Sequence, residues 1–598
     1  MRDAETVLGV IRERGKRGLH LEDIYRQLFT PQLYLKAYAR LYQNQGAMTP
    51  GTNGETVDGM SLATIGIIID ALRQERYRWK PVKRVYIPKK NGKLRPLGLP
   101  TWSDKLVQEV VRLILEAYYD YQFSDHAHGF RPARGVHTAL TEITRTWTGT
   151  TWFIEGDIKG CFDNIDHQVL LSILAEKLHD NRFLRLLSNM LTAGYMEEWN
   201  WNATLSGSPQ GGVVSPILSN IYLDKLDQYV ETDLLPRYNQ GKLRQQNPAY
   251  QAVQRRLRLA RNEQDSATIH DLQMQMRQLP SHNPNDPSYR RLRYVRYADD
   301  FLLGFAGPRE EAEDIKRQLR EFLCDSLKLE LSEEKTLVTH AATQAARFLG
   351  YEIMRQQATD RLDSQGRRCV NGNIALRIPR EVSEKKCAEY QEQGKPMRRP
   401  EMMSDSDYTI VSQYQAEYRG FVQYYLMAQN VACLSKLHWV METSLLHTLA
   451  NKHKTSTTRI VQKYKTFVET PQGRRKCLRV MVPREGKQPL VAQFGGIPLQ
   501  RQKVTQIVDK VTLHNRIERS ELLQRLLADK CELCGSREHI QVHHVRKLAD
   551  LKRHGKYPPS WVRQMAARRR KTLIVCQACH IAIHHPRMGT KVSHGKAG

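Results

Sequence analysis

Apolar and polar positions recur with different periods along the chain, and these periods divide it into segments. Residues 1–80 have a helical period and many basic side chains, with one turn-rich interruption, MTPGTNGETVDG. From residue 81 to 365 the pattern predicts mixed helices and strands. Asn91 and Gly92 are typical of a tight turn and predict a β-hairpin within RVYIPKKNGKLRPLGLP.

Two elements of this mixed region bear on chemistry. The stretch SDKLVQEVVRLILEAYYDYQF predicts a helix whose N-cap is Ser103 or Asp104. The stretch TTWFIEGDI is rich in β-branched and aromatic residues and predicts a strand that ends on Asp157. Residues 234–289 are polar and rich in Arg and Gln, and they predict a helical pair inserted at the surface.

The period becomes helical again over residues 366–465, where aromatic and aliphatic residues form two apolar stripes. Core packing is the simplest interpretation of these stripes, which consist of Tyr414, Tyr418, Phe421 and Tyr425, and of Leu434, Leu437, Met441 and Leu445. Residues 466–525 are basic and interrupted by Gly and Pro, which predicts a connector or small module. Residues 526–598 are set apart by two CxxC pairs and several histidines.

The amino-acid composition indicates the kind of partner that the chain binds. The chain has 598 residues, enough for about four domains. Its 92 Lys and Arg against 63 Asp and Glu give a formal charge of +29. A solvated basic surface is the alternative, but so large an excess repels itself unless a polyanion binds, so we expect a nucleic-acid partner. Composition does not distinguish RNA from DNA.

The sequence shows no recognisable secretory signal or membrane-spanning segment. The start, MRDAETVLGVIRERGKRG, lacks the apolar core of a signal peptide, and the most apolar window, LATIGIII, is too short to span a bilayer. Six of the ten cysteines are scattered rather than arranged as a disulfide framework, namely Cys161, Cys324, Cys369, Cys387, Cys433 and Cys477. We therefore expect a cytoplasmic protein without a membrane partner.

Two adjacent acids interrupt the apolar run RLRYVRYADDFLLGFAG. Burial of an ionised carboxylate is costly without a partner, so Asp299 and Asp300 need neutralisation. A hairpin at this position would bring one of them towards Asp157 at the end of its own strand. Carboxylates from separate strands suit Mg²⁺, and two such ions stabilise the attacking and leaving oxygens of a phosphoryl transfer. Surface acids in a loop are the alternative, which the apolar flanks disfavour.

The motifs and their order resemble a reverse transcriptase, and more specifically the reverse transcriptase–maturase encoded by a mobile group II intron. YADD, GDIKGCFDNID and GSPQGGVVSPILSNIYLD resemble the polymerase palm, with YIPKKNGKLRPLGLP and HGFRPARGVHTAL as fingers. LELSEEKT and RFLGYEI resemble the end of the palm, EYRGFVQYYLMAQN the thumb or domain X, and GTNGETVDGMSL the N-terminal extension. YADD fits this family better than the Gly-Asp-Asp of viral RNA-directed RNA polymerases.

The resemblance implies a role for each matching residue. Asp157, Asp299 and Asp300 would be catalytic acids and magnesium ligands, with the carbonyl of Ile158 as a further ligand. The residues implied in binding the nucleotide are Lys89, Arg95, Phe162, Gln210 and Gly211, of which Phe162 would exclude a 2′-hydroxyl. The residues implied near the primer are Phe348, Leu349 and Gly350.

The C-terminal block carries a strong metal signal. Two CxxC pairs, Cys531 with Cys534 and Cys576 with Cys579, predict a closed structural Zn²⁺ site. Disulfides are the alternative and are unusual in a cytoplasmic chain. His580 and His584 are spaced i and i+4, so they share one face of a helix and can chelate together.

This block resembles an HNH, or ββα-metal, endonuclease of the kind fused to group II intron proteins. The resemblance implies that His543, His580 and His584 bind a divalent ion, Mg²⁺ by expectation, and that His544 is the general base. Two positions depart from the family pattern: Gln541 replaces an acid, and Lys571 replaces the middle Asn. A zinc-stapled DNA-binding module is therefore the alternative, and ARRRKTL would contact DNA in either case.

The expected fold is an α+β multidomain chain with right-hand polymerase architecture. It has an antiparallel palm sheet, a helical thumb and a small zinc-stapled ββα nuclease. The expected domains are the RNA-binding extension 1–80, fingers and palm 81–365 with its insertion 234–289, thumb 366–465, DNA-binding connector 466–525 and nuclease 526–598.

The expected function is that of a group II intron-encoded polymerase, maturase and endonuclease. Its partners would be intron RNA, target DNA and deoxynucleoside triphosphates. The alternatives are an RNA-binding splicing cofactor without an active polymerase, and a reverse transcriptase of another kind. The sequence does not determine the intron, the oligomeric state or whether the insertion contacts RNA, although we expect that it does.

Overall fold

The structure is a computed structural model of the chain. It describes residues 3–88, 92, 94–197, 200–202, 212–283, 286–358, 361–364, 368, 370–484, 486–503, 520–548, 550–551, 558–568 and 570–585. Asn91, Lys89, Gln210 and Gly211, which carry sequence predictions, lie outside these residues.

The N-terminal segment is helical, as its period predicts. Its apolar side chains, including Tyr34 and Tyr38, are buried against the long helix that follows the first hairpin. The elements are α1 (Ala4–Lys16), β1 (Leu21–Glu22), a 3₁₀ helix (Ile24–Phe29), α2 (Pro31–Leu41), a 3₁₀ helix (Gln45–Met48) and α3 (Leu62–Arg73).

The predicted first hairpin is present, and the following helix begins slightly earlier than predicted. Its N-cap is Thr101, whose hydroxyl accepts a hydrogen bond from the backbone N–H of Asp104 at 3.2 Å, so the prediction of Ser103 or Asp104 was wrong. Asp104 instead lies in the first turn, where its buried carboxylate accepts a hydrogen bond from Tyr77. The elements are β2 (Val82–Pro88), β3 (Leu94–Leu99), α4 (Trp102–Tyr119) and α5 (Val136–Thr146).

A four-stranded antiparallel sheet forms the centre of the mixed region, in the order β10-β4-β9-β8. Its β4 ends on Asp157, as predicted. The elements are β4 (Trp152–Asp157), α6 (Cys161–Asn164), α7 (His167–Ala175), β5 (Leu178–His179), α8 (Asn181–Leu191), β6 (Tyr195–Glu197), β7 (Asn200–Asn202), α9 (Ser215–Tyr229), a π-helical turn (Val230–Leu234), α10 (Leu235–Tyr238), β8 (Arg291–Tyr297), β9 (Asp300–Ala306), α13 (Arg309–Leu327) and β10 (Val338–His340).

The polar insertion forms the predicted helical pair. Its two helices, α11 (Pro248–Asn262) and α12 (Ser266–Gln278), bury a small core of their own that contains Val253, Leu257 and Leu272. A separate core of this kind is consistent with a surface insertion rather than with part of the central sheet.

The helical segment 366–465 buries its aromatic stripe, as predicted. Tyr414, Tyr418 and Tyr425 are buried, and Phe421 packs against the same core. Strands β11 (Ala346–Phe348) and β12 (Tyr351–Arg355) precede this segment. Its own elements are β13 (Ile374–Arg377), α14 (Arg380–Ala388), β14 (Gln391–Glu392), β15 (Lys395–Pro396), a 3₁₀ helix (Pro400–Met402), α15 (Asp407–Tyr425), a 3₁₀ helix (Val431–Leu434), α16 (Ser435–Lys452) and α17 (Thr457–Tyr464).

The next strands belong to the same core. Leu478 and Phe494 of a three-stranded antiparallel sheet pack with the thumb-like helices. The first half of the predicted connector is therefore a sheet joined to that core. Its strands are β16 (Lys465–Thr470), β17 (Gly473–Arg484) and β18 (Lys487–Gly495).

The C-terminal block is a ββα unit. Strands β19 and β20 pair antiparallel and lead directly into α20, and the buried residues Leu523, Val542 and Ile574 share one apolar core with the N-terminal helices. The elements are α18 (Glu521–Leu527), β19 (Ile540–His544), α19 (Ser560–Arg568), β20 (Thr572–Cys576) and α20 (Gln577–His584). Within the described residues, no helix has the length and apolar character needed to cross a membrane.

Candidate functional site

The three predicted polymerase acids lie at one edge of the central sheet. Asp157 ends β4 and is in register with Asp300, the first residue of β9. Asp299 occupies the β8–β9 turn immediately after Ala298, whose φ is +56°. The left-handed conformation at Ala298 makes the turn tight, so Asp299 and Asp300 leave it at the end of the sheet next to Asp157.

A buried ion pair supports this turn. Arg296 is 1% exposed, and its guanidinium donates to Asp227 at 2.7 Å and to the carbonyl of Ala298 at 2.9 Å. Burial alone would weaken the charge, but the Asp227 carboxylate raises the pKa of Arg296 well above its usual value. The arginine therefore fixes the backbone from which Asp299 and Asp300 extend.

A glycine closes the other side of the turn. A Cβ at Gly129 would lie 2.3 Å from the backbone nitrogen of Ala298, so a larger residue would displace the turn. The carbonyl of Gly129 accepts a hydrogen bond from the Asn220 side chain at 2.8 Å. This explains in physical terms why the HGF motif includes a glycine.

The acids carry more negative charge than their surroundings neutralise. Burial, followed by the charges of Asp299 and Asp157, raises the pKa of Asp300 to about 7. The pKa of Asp299 is also raised, mainly by burial and by Asp157. Lys335 donates to both carboxylate oxygens of Asp157, at 3.0 and 2.9 Å. Lys335 and the charge of Arg95 oppose three acids, so the chemistry of the donor set suits a divalent cation.

The residues predicted to bind the nucleotide are only partly described. Arg95 is exposed on β3, and its charge lowers the pKa of Asp299 against the raising effect of burial. Phe162 is half-buried and makes an edge-to-face contact with Phe130, with ring centroids 6.2 Å apart. Ile158 follows Asp157 and is buried. The charge of Arg95 therefore acts on Asp299, and Ile158 and Phe162 follow Asp157 closely in the chain.

The predicted primer residues form the turn between β11 and β12. Leu349 and Gly350 have φ values of +50° and +73°. Tyr424 donates to the carbonyl of Leu349 at 2.8 Å, and Tyr425 donates to that of Gly350 at 3.2 Å. The turn is thus held by α15, the first long helix of the thumb-like segment.

The four cysteines of the C-terminal block converge. Their sulfur atoms all lie within 4.8 Å of one another, and those of Cys534 and Cys576 are 3.6 Å apart. Burial opposes ionisation of Cys531, but hydrogen bonds from backbone N–H groups outweigh it and lower the pKa of that thiol to about 7. All four are free thiols, so the set suits a soft divalent metal rather than disulfides.

The three predicted histidine ligands also converge, and a fourth group joins them. His543, His580 and His584 meet the Asp58 carboxylate, with one ligand atom of each within 4.8 Å of all the others. Among the described residues, this set and the four cysteines are the two groups whose ligand atoms all lie within 4.8 Å of one another. The three polymerase acids lie further apart than this. Burial opposes ionisation of Asp58, but contacts from the histidines hold its pKa well below its usual range.

The predicted general base is not at the surface. His544 is 5% exposed, its Nε2 lies 3.2 Å from the Tyr38 hydroxyl, and its backbone N–H donates to Asp58 at 2.7 Å. Burial lowers the pKa of His544 to about 4. The imidazole is therefore neutral, which suits a base, but the N-terminal helix α2 covers it.

The two departures from the HNH pattern have different structural contexts. The side-chain oxygen of Gln541 accepts from Nδ1 of His580 at 2.8 Å, so it orients this ligand as an acid would. Lys571 is exposed, and its carbonyl accepts from the N–H of Val545 at 2.9 Å. In ARRRKTL, Arg568 and Arg570 pair with Glu532 and Glu521, so part of this basic stretch is already neutralised.

Comparison with known proteins assigns families to three parts of the chain. Residues 87–251 match reverse transcriptase (RNA-dependent DNA polymerase), residues 377–482 match type II intron maturase, and residues 531–580 match AI2M/AI1M-like HNH endonuclease. The chain is 38% identical over 584 residues to the group II intron-encoded protein LtrA of Lactococcus lactis subsp. cremoris. That alignment covers 94% of this chain and 95% of LtrA. The chain belongs to the group II intron-encoded proteins.

Other similarities are weaker. A putative COX1/OXI3 intron 1 protein of Saccharomyces cerevisiae is 31% identical and aligns with 92% of this chain and 68% of its own length. Telomerase of Candida albicans matches in structure over 64% of this chain and 62% of its own, at 12% identity and a TM-score of 0.30. That score is too low to support an argument.

This group II intron-encoded protein is thus a reverse transcriptase and maturase with a C-terminal HNH endonuclease region, as its motifs indicate. Its polymerase fold has mixed α/β content, and its family supports intron RNA as a partner. Sequence reasoning missed Asp58, Lys335 and the Arg296–Asp227 pair. The only signals in the sequence were an acid in a turn-rich stretch and an arginine in an apolar run.

Proposed function

We propose that this group II intron-encoded protein performs target-primed reverse transcription. The C-terminal unit nicks one DNA strand, and the polymerase extends the resulting 3′-hydroxyl along the intron RNA. The observation that supports this most strongly is the presence of two separate ligand sets in one chain, the acids at the sheet edge and the histidines beside β19. Target DNA and deoxynucleoside triphosphates are then partners in addition to intron RNA.

In the polymerase, we assign metal binding to Asp157, Asp299 and Asp300, with the carbonyl of Ile158. Two Mg²⁺ ions bound there would stabilise the attacking and leaving oxygens of nucleotidyl transfer. Lys335 pairs with Asp157, so a cation bound by the three acids would compete with this lysine for the carboxylate. Arg296 does not touch substrate; it positions the turn that carries Asp299.

The substrate contacts follow from the family resemblance. Arg95, together with Lys89, holds the triphosphate. The charge of Arg95 lowers the pKa of Asp299, which supports this role. Phe162 lies under the sugar and excludes a 2′-hydroxyl. We assign Gln210 and Gly211 to the nucleotide and template, and the turn Phe348–Gly350 to the primer.

In the nuclease, His543, His580 and His584 would hold a divalent ion, and the four cysteines would hold Zn²⁺ as a structural ion. A metal at the histidines would polarise the scissile phosphate. Gln541 fixes the tautomer of His580 so that Nε2 is free to bind. His544 takes the proton from the attacking water. This role requires the His544 side chain to be exposed to solvent. A DNA-binding module without nuclease activity remains the second candidate, favoured by the burial of His544.

The domain assignment follows the same division. We propose an RNA-binding extension at 1–80, fingers and palm at 81–365 with the insertion 234–289, a thumb at 366–465, a DNA-binding connector at 466–525 and the nuclease at 526–598. The basic surface supplies sequence-independent affinity for phosphates. A reducing, cytoplasmic setting is consistent with nine described cysteines that are all free.

Two variants test the separation of the activities. Asp299→Asn should abolish extension of an annealed DNA primer on an RNA template while it leaves DNA nicking intact. His584→Asn should do the opposite. Asp325→Asn and His585→Asn are matched controls, because both residues are exposed and lie outside the clusters. Normal extension by Asp299→Asn, or normal nicking by His584→Asn, would refute the corresponding assignment.

A further inference from the structure

We propose that Asp58 of the N-terminal extension is the fourth ligand of a divalent metal bound by His543, His580 and His584. This four-residue site joins the nuclease to the N-terminal region in a closed state in which His544 cannot reach DNA. The inference rests on the proposed function only for the assignment of the histidines to the nuclease. Asp58 and the histidines come from opposite ends of the chain.

The first support is the geometry of the cluster. The Asp58 carboxylate lies 3.2 Å from Nε2 of His580 and 2.8 Å from Nε2 of His584. The two histidine Nε2 atoms are themselves 3.3 Å apart. Because Gln541 accepts from Nδ1 of His580, its Nε2 lone pair faces Asp58 and His584. Three nitrogens and a carboxylate oxygen therefore converge on one point, as in a tetrahedral metal site.

The second support is a buried side chain whose ring nitrogens make no hydrogen bond. His543 is 4% exposed in its side chain, and neither ring nitrogen makes a hydrogen bond within the described part of the chain. Its Nδ1 approaches Asp58 to 3.4 Å, without the alignment of a hydrogen bond. Buried polar groups are nearly always hydrogen-bonded, so an imidazole with one unaligned carboxylate contact is consistent with a further partner. A metal ion would bind one of its nitrogens.

The third support is the backbone that carries Asp58. The N–H of Gly59 donates to the carbonyl of Val542 at 3.0 Å, and the N–H of Val542 donates to the carbonyl of Met60 at 2.9 Å. The loop before α3 therefore adds to the edge of β19, the strand that carries His543. Asp58 is thus held in place by a strand pairing.

The closed state follows from the number of protein ligands around the metal and from the side chains that cover His544. Catalytic metal sites keep a position open for water or substrate, whereas four protein ligands close a site. Asp58 takes one of the positions that the three histidines leave open. For a six-coordinate ion such as Mg²⁺ or Mn²⁺, closure of the site also depends on the cover of His544. On the same docked surface, Tyr38 and Tyr42 pack over His544, with ring centroids 6.2 and 6.4 Å away. Release of the extension would therefore open a coordination position on the metal and expose His544.

Metal binding tests the ligand directly. Full-length protein that carries one zinc per chain, at the cysteines, is titrated with Mn²⁺, and free Mn²⁺ is measured by electron paramagnetic resonance. Asp58→Asn should weaken one Mn²⁺ site by ~10-fold or more, as His584→Asn should, whereas Asp70→Asn on α3 should match the wild type. Hydrogen exchange of residues 57–60 and 540–544 should slow on Mn²⁺ addition in the wild type and not in Asp58→Asn. Wild-type affinity and protection in Asp58→Asn would overturn the proposal.

Nicking assays test the closed state. Tyr38→Phe removes the hydroxyl that contacts His544 and should increase the rate of DNA nicking roughly fivefold, equivalent to ~1 kcal/mol. Asp58→Asn should also nick faster at saturating Mn²⁺. Loss of nicking in Asp58→Asn at saturating metal would make Asp58 an active-site ligand and overturn the closed state. If the wild type itself never nicks, the proposed nuclease fails, while the Mn²⁺ and exchange results still decide the ligand.

Discussion

At the scale of single residues, the polymerase site is defined by unbalanced charge. Asp300 is paired in register with Asp157 and follows Asp299, so ionisation of all three acids is costly in a buried setting. Lys335 offsets part of this charge through Asp157. The three carboxylates therefore repel one another, and a bound cation would reduce this repulsion. The geometry at this end of the central sheet is thus linked to metal binding.

This repulsion predicts a pH-dependent stability. The pKa of Asp300 is about 7 in the folded chain, above its ordinary value, so the folded state binds more protons than the unfolded state between pH ~4 and 7. Stability should thus fall as pH rises through that window. Asp300→Asn should raise the free energy of unfolding by ~2 kcal/mol at pH 8 and by little at pH 4, in magnesium-free buffer.

Thermal unfolding at several pH values measures this effect. Asp70→Asn, on the exposed face of α3, is the control and should change little at any pH. An equal shift of the Asp300→Asn midpoint at pH 4 and pH 8 would contradict the electrostatic cause.

At the scale of elements, the β8–β9 hairpin depends on a buried ion pair rather than on its own turn. Asp227 of α9 accepts from both Arg296 and Tyr294, and the three side chains are buried. Breaking such a pair leaves an uncompensated charge, which costs ~3–5 kcal/mol. Because Arg296 also holds the carbonyl of Ala298, this loss should displace the catalytic turn.

Asp227→Asn should therefore lower the free energy of unfolding by ~3 kcal/mol and reduce primer extension, although Asp227 does not touch substrate. The control is Arg317→Gln, which breaks an exposed pair with Asp314 and should cost less than ~1 kcal/mol. Chemical denaturation and primer extension measure the two effects. Near-wild-type stability of Asp227→Asn would show that the pair does not position the turn.

The cysteine knuckles are the other element that needs a test. Cys534→Ser should remove one zinc per chain and lower the nicking rate, because β20 and α20 are joined by this cluster. Extension of an annealed primer should persist. Cys324→Ser, an exposed thiol outside the cluster, should retain its zinc. Native mass spectrometry counts the metal, and unchanged zinc in Cys534→Ser would exclude the four-thiolate site.

Local patterns were sufficient to predict several elements. The strand that ends on Asp157, the two-helix insertion and the aromatic stripe of α15 all follow from short-range periodicity. The predicted helix cap, Ser103 or Asp104, lies two or three residues after the observed cap Thr101, since several residues there can cap. Asp58, Asp227 and Lys335 were not predictable, because each acts on residues far away in the sequence, and single-sequence periodicity carries no information on such contacts.

At the scale of the whole molecule, the two ends of the chain share one apolar core. Tyr38 and Leu35 of α2 lie in the same buried cluster as Leu523 and Val542 of the C-terminal block. The central sheet contributes Ile154 and Leu303 to that cluster as well. Polymerase and nuclease regions therefore belong to one packed body.

The most direct test of the central claim is the covalent product of one coupled reaction. Protein and its intron RNA are incubated with double-stranded DNA that carries the joined exons, labelled at the nicked strand, and with deoxynucleoside triphosphates. We predict intron cDNA continuous with the labelled strand in the wild type, a nick without extension in Asp299→Asn, and neither in His584→Asn. Wild-type cDNA that is never joined to the labelled strand would contradict target-primed reverse transcription.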